Sequence, residues 1–177
     1  MVTSAWGGAA DADAVCLLLD ARKNGARLVV MAAGPRSLAE IAETVKQHEV
    51  STMWLTAGLF QVMATEQLES LREVKQLLAG GDVLSVRHVE KYLSAIGQSE
   101  QRLINGYGPT ENTTFSCCHV MDGSASLNGS VPIGRPITNT QVYVLDTEMQ
   151  VAPVGVVGEL YLGGAGLARG YFKQPEL

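Results

Sequence analysis

Between Arg102 and Val120 the chain reads RLINGYGPTENTTFSCCHV. A short apolar run ends there in a turn with two glycines and a proline, and one acid, Glu111, closes the turn. Each residue type offers a particular chemistry. Glycine lets backbone approach a planar or anionic ligand closely. Tyr107 offers a ring face for stacking. Thr110 offers a hydroxyl and an N–H for a phosphate, and Glu111 a hard oxygen for Mg²⁺. A second pair of glycines, Gly80-Gly81, ends another apolar run, VKQLLAGG. The set suits a nucleotide with its metal. On residue types alone a tight turn with a capping threonine and a solvated glutamate is the better reading.

The elements that must position these residues are legible from periodicity. RLVVM (27–31) is a β-branched run that reads as a buried strand. SLAEIAETVKQHE places Leu38, Ile41 and Val45 at helical spacing, with Ser37 as N-cap and Glu40 three residues on. VSTMWL reads as a strand, TAGLFQVMATE as a helix and VKQLLAGG as a strand. SVRHVEKYLSAIGQS carries Val86, Val89, Leu93 and Ile96 on one stripe, and RLING follows as a further strand. Ligands of such open parallel sheets bind beyond the carboxyl ends of the strands, where both glycine pairs fall. The expected class is therefore α/β, a parallel sheet with flanking helices over about residues 27–106. The remainder reads as mostly β, a distorted barrel or small second sheet built from FSCCHV, TQVYVLD and VGELYLGG. Residues 1–25 fit neither helix nor loop cleanly and stay unassigned.

Bulk properties exclude several classes. The 177 residues are 46% hydrophobic and 18% charged, a globular composition long enough for a core. A net charge of -5 and the lack of a basic cluster argue against nucleic acid and anionic membranes as partners. No run of 18 apolar residues and no basic, apolar leader are present. Cys16, Cys117 and Cys118 are odd in number, and neighbours on a strand point to opposite faces, so reduced thiols in a cytoplasmic setting are expected. His48, His88 and His119 are scattered, without metal-ligand spacing.

The string NGYGPTE strongly resembles the fifth core motif of nonribosomal peptide synthetase adenylation domains, which belong to the adenylate-forming, AMP-binding superfamily. GELYLGGAGLARGYFKQPEL is similar to the sixth core motif. VSTMWLTAGLF, LLAGGDVLS and SVPIGRPITNTQVYVLD resemble the family's connecting segments, in order. Residues 26–177 are thus identified as a partial adenylation domain core, part of the large N-terminal subdomain. A dinucleotide fingerprint fits GGAGLARG badly, since its third glycine is replaced by Arg169 and no helix follows.

The resemblance implies roles. ATP would lie against Gly81, Asp82 and Val83 on one face of its adenine and Tyr107 on the other, with Gly108 alongside and Asn105 bonding the adenine amine. Thr110 and Glu111 are the catalytic candidates: Thr110 would touch the α-phosphate and Glu111 would ligate Mg²⁺. Arg169 stands between a motif role and a plain surface arginine. The amino-acid pocket would be walled by Trp54, Leu78, Gly80, Gly106, Thr114 and Phe115, of which Trp54, Leu78 and Phe115, taken singly, read as ordinary core. As a pocket they leave room for a small, branched aliphatic side chain, a valine-like substrate. The aminoacyl group would pass to phosphopantetheine on a peptidyl carrier domain, beside a condensation domain of the same synthetase.

Some family features have no counterpart in this sequence. These are the Gly/Ser/Thr-rich phosphate loop, the Phe-Asp-x-Ser segment (Asp11 and Asp13 lie nearest, at unsupportive spacing), the Thr-Gly-Asp segment and the C-terminal subdomain with its lysine. A chain that does not adenylate alone is therefore expected. The rival readings are a fragment of an acyl- or aryl-CoA ligase and a non-catalytic remnant or interaction module.

Overall fold

The computed structural model describes residues 25–31 and 34–174. Cys16 and the candidate aspartates Asp11 and Asp13 lie outside them. The first helix among the described residues, α1 (Leu38–Gln47), starts where its capping box predicts. The Glu40 N–H donates to Ser37 Oγ at 3.2 Å, and the Ser37 N–H returns the bond to Glu40 Oε2 at 2.8 Å. Its apolar spacing buries Ile41 and Val45. Bonds from the Ser37 backbone, then from its hydroxyl, hold the Glu40 carboxyl below its usual range. The sign follows: a lowered carboxyl pKa stabilises the fold above the unfolded-state value, and that support is lost as pH falls through the folded one. Melting curves against pH are expected to show a shallower acid limb for Glu40→Gln than for the parent chain.

Three strands then alternate with helices. β1 (Thr52–Thr56) leads into α2 (Ala57–Glu66), capped by Thr56, and the single turn α3 (Leu68–Leu71). β2 (Gln76–Gly80) is followed by α4 (Val86–Ile96) and β3 (Arg102–Tyr107). β1, β2 and β3 run parallel in consecutive order. Strand alternation sorts their side chains. Met53, Leu55, Leu77, Ala79 and Leu103 join one core with Ile41, Val45, Phe60, Met63, Tyr92 and Leu93 of the helices. Phe60 meets Tyr92 edge to face, with ring centroids 6.1 Å apart. The opposite sheet face, with Trp54, Leu78 and Ile104 in register, is only half-buried.

Two expectations change. Residues 27–31 form no strand, and Val30 is largely exposed. Val29 and Met31 instead pack against the core as side chains, so their β-branched pattern records burial without a hydrogen-bonded ladder. FSCCHV does not join a second sheet. The Ser116 N–H donates to the Tyr107 carbonyl at 2.7 Å, reversing the chain so tightly that β4 (Cys117–Met121) returns antiparallel beside β3. A parallel return would need a long crossover. β5 (Arg135–Pro136) extends this edge, making one mixed sheet of five strands among the described residues. TQVYVLD and VGELYLGG supply β6 (Thr140–Leu145) and β7 (Glu159–Gly164), which form the expected small second sheet. Cys117 and Cys118 are both free thiols. Among the described residues no helix is long and apolar enough to cross a membrane.

Candidate functional site

An open groove of about 320 Å³ lies beyond the carboxyl ends of β2 and β3. It is lined by Gly81, Asp82 and Val83 from one strand end, by Asn105 to Gly108 from the other, and by Leu84, Val131 and Ile133. Every residue the sequence assigned to the adenine is therefore gathered there, while Thr110, assigned to the phosphate, is not. Two features fit a planar, polar-edged ligand. Val83 and Tyr107 are exposed, so apolar area on both strand ends is open to a ring. Asn105, only 6% exposed, has a fixed amide: its Nδ2 donates to the Pro132 carbonyl at 2.9 Å. That bond leaves Oδ1, an acceptor, without a partner among the described residues.

The pocket candidates fall on the other face of the same strands. Positions 54, 78, 80 and 106 share the parity opposite to the core side chains, so Trp54, Leu78, Gly80 and Gly106 face one way. The Phe115 ring covers Gly106: a Cβ added there would stand 2.5 Å from its Cε1. Thr113 and Thr114, just before it, both adopt left-handed backbone, at φ 52° and 70°. For β-branched residues this is strained, and such strain gathers where a loop must hold a set geometry. Trp54 Nε1 is buried with no hydrogen-bond partner among the described residues. β3 thus separates two regions, with Asn105 and Tyr107 toward the groove and Ile104 and Gly106 toward Phe115.

Thr110 and Glu111 lie on a short 3₁₀ turn (Thr110–Asn112) after β3, both exposed and outside the groove lining. The Glu111 carboxylate accepts a hydrogen bond from the Tyr171 hydroxyl. That bond first, and one from its own backbone second, hold the carboxyl below its ordinary range. Glu111 is thus ionised at neutral pH, with its second oxygen engaged by no other described residue. A single hard carboxylate oxygen fits Mg²⁺, which takes its remaining ligands from water and phosphate. Arg169 is exposed.

Sequence reasoning missed Leu84, Val131 and Ile133 as lining residues and Tyr171 as a partner of Glu111. The SVPIGRPIT string was available as a signal, but its place over Asn105 depends on the fold.

The AMP-binding enzyme family matches residues 11–172. This chain belongs to that family. It is 56% identical over 154 residues to a linear gramicidin synthase protein of Brevibacillus parabrevis, an alignment covering 87% of this chain and 2% of that protein. It is 39% identical over 138 residues to tyrocidine synthase 3 of the same organism, covering 78% of this chain and 2% of that one. Among solved structures, holo-PA1221, a peptide synthetase protein with adenylation and carrier domains, superposes with a TM-score of 0.86 at 36% identity. The match covers 97% of this chain and 30% of that one. The N-terminal subdomain of Klebsiella oxytoca NpsA superposes with a TM-score of 0.85 at 25% identity, covering 96% and 41%. The chain is thus a partial AMP-binding domain of the peptide synthetase type, with the fold of part of the N-terminal subdomain. It spans a small part of each synthetase it matches.

Proposed function

We propose that this AMP-binding segment forms the nucleotide and amino-acid contacts of an amino-acid-activating domain. The observation that carries the reading is the groove, in which Gly81–Val83, Asn105 and Tyr107 converge from two strand ends. The adenine would lie between Val83 and Tyr107, its amine donating to Asn105 Oδ1. The amino acid would occupy the opposite face, bounded by Trp54, Leu78, Gly80, Gly106, Thr114 and Phe115. These residues supply no charge partner, and Trp54 with Phe115 would narrow the room the two glycines open, which favours a small branched aliphatic side chain. One methylene more or less in such a pocket is worth only about 1–3 kcal/mol, so selection of valine over its homologues is modest.

In the reaction the amino acid's carboxylate oxygen attacks the α-phosphorus of ATP, the bond to the β-phosphate bridge breaks, and pyrophosphate leaves. Thr110 would donate its hydroxyl to the α-phosphate, and Glu111 would hold a Mg²⁺ ion, whose chemistry there would be to neutralise the charge of the departing pyrophosphate. A phosphopantetheine thiol on a carrier domain would then attack the adenylate's carbonyl carbon, forming a thioester and releasing AMP. Turnover belongs to the longer protein, since this chain covers 30–41% of its structural neighbours. Equilibrium ATP binding to the 177-residue chain and valine-dependent ATP–pyrophosphate exchange test the two levels. Mg²⁺-dependent ATP binding that falls roughly tenfold in Glu111→Ala is expected, with no exchange above that control. Binding indifferent to Glu111 would overturn the site, and exchange by the short chain would overturn its dependence on the rest.

A further inference from the structure

The turn that carries Glu111 is held by a segment more than fifty residues later in the chain. The Ala168 N–H donates to the Glu111 carbonyl at 2.7 Å. Thr113 Oγ1 donates to the Gly166 carbonyl at 2.6 Å. The Tyr171 hydroxyl donates to the Glu111 carboxylate. Two of these three bonds hold Glu111 itself, one at its main chain and one at its side chain. The remaining bonds of the turn, from Asn112 to Pro109 and from Thr113 to Thr110, fix its backbone, and beyond its own backbone N–H the carboxylate's partner among the described residues is Tyr171. Glu111 is exposed, so without that bond its side chain would sample several rotamers in water.

We propose that Tyr171 is a positioning residue for metal binding by Glu111. The phenol donates to one carboxylate oxygen and presents the other oxygen in one orientation to the cation of a bound metal–nucleotide complex. This rests on the reading of Glu111 as the metal ligand. The physical basis is general: a partner that bonds one atom of a ligating group fixes its orientation and strengthens its metal affinity. A hydrogen bond to an ionised acceptor is also among the stronger ones available to a surface side chain. The arrangement couples the 164–171 segment to the site through Glu111, with no contact of its own to the nucleotide required.

The test is ATP binding to the full chain with Mn²⁺ and, separately, with EDTA, in the parent protein, Tyr171→Phe and Glu111→Gln. Tyr171→Phe is expected to weaken metal-dependent binding by roughly tenfold while leaving metal-free binding and the melting temperature unchanged. Equal loss with and without metal would mean a merely structural role and overturn the proposal. Loss in Glu111→Gln alone would also overturn it, leaving the nucleotide site standing. A parent chain without metal-dependent gain would overturn both. A second readout needs no ligand: the ¹³C resonance of the Glu111 carboxylate in the metal-free chain. It is expected to move in Tyr171→Phe, and an unchanged resonance would show that the bond does not form in solution.

Discussion

Gly80→Ala is expected to lower the melting temperature by about 10 °C, from a cost of about 3 kcal/mol. Gly80 pairs with Gly106 across β2 and β3. A Cβ at position 80 would stand 2.1 Å from the Gly106 carbonyl oxygen and 3.1 Å from its carbon. Those atoms are main chain in a buried ladder, so relief requires the two strands to separate. Gly58→Ala is the control: it lies inside α2 and an added Cβ meets nothing within 4 Å. It should be neutral or stabilising by up to about 1 kcal/mol. Thermal unfolding followed by circular dichroism compares the two, and equal melting temperatures would refute the packing account. Glycine at 80 is therefore demanded by main-chain approach whatever substrate the face accepts. Gly106 differs, because its close neighbour is the Phe115 ring, which can rotate. Gly106→Ala should cost less stability and disturb the amino-acid face more.

Asn105→Ala should produce the second large effect, a loss of ATP affinity of about tenfold or more. The residue has two tasks that one substitution removes together. Its Oδ1 is the acceptor proposed for the adenine amine, and its Nδ2 ties Pro132, between Val131 and Ile133, to the end of β3. Pro132 is exposed, so its freed carbonyl can turn to water at little cost in stability, and the loss falls mainly on the nucleotide. Asn105→Asp separates the tasks. The side chain keeps its size and an acceptor, but an ionised carboxylate would oppose the Pro132 carbonyl. Burial and that repulsion raise the new carboxyl's pKa in the fold, so stability falls as pH rises through the unfolded-state value toward the raised one. Melting temperatures of Asn105→Asp should therefore fall from acidic to neutral pH relative to the parent chain. A parallel pH profile for both proteins would show that Asn105 does not secure the 131–133 segment.

Much of the scaffold was readable without coordinates because its signals are local. The Ser37–Glu40 box, the Val89, Leu93 and Ile96 stripe, and the glycine ends of β2 and β3 each lie within a few residues of what they control. RLVVM misled for the same reason. Its pattern reports that side chains are buried, and it carries no information on whether a neighbouring strand is present to pair with. FSCCHV likewise read correctly as a strand, while its membership of the main sheet depended on the tight reversal after Tyr107.

The site divides along the same line. Residue types and spacing in NGYGPTE, and its order relative to GELYLGGAGLARGY, were enough to place the chain in its family. Only the folded chain returned β4 antiparallel beside β3, placed Pro132 against Asn105, and brought Tyr171 to Glu111 across sixty residues. Periodicity and caps are properties of neighbours in the chain, whereas these contacts follow from how sheet and loops close on one another, which no short window of residues encodes.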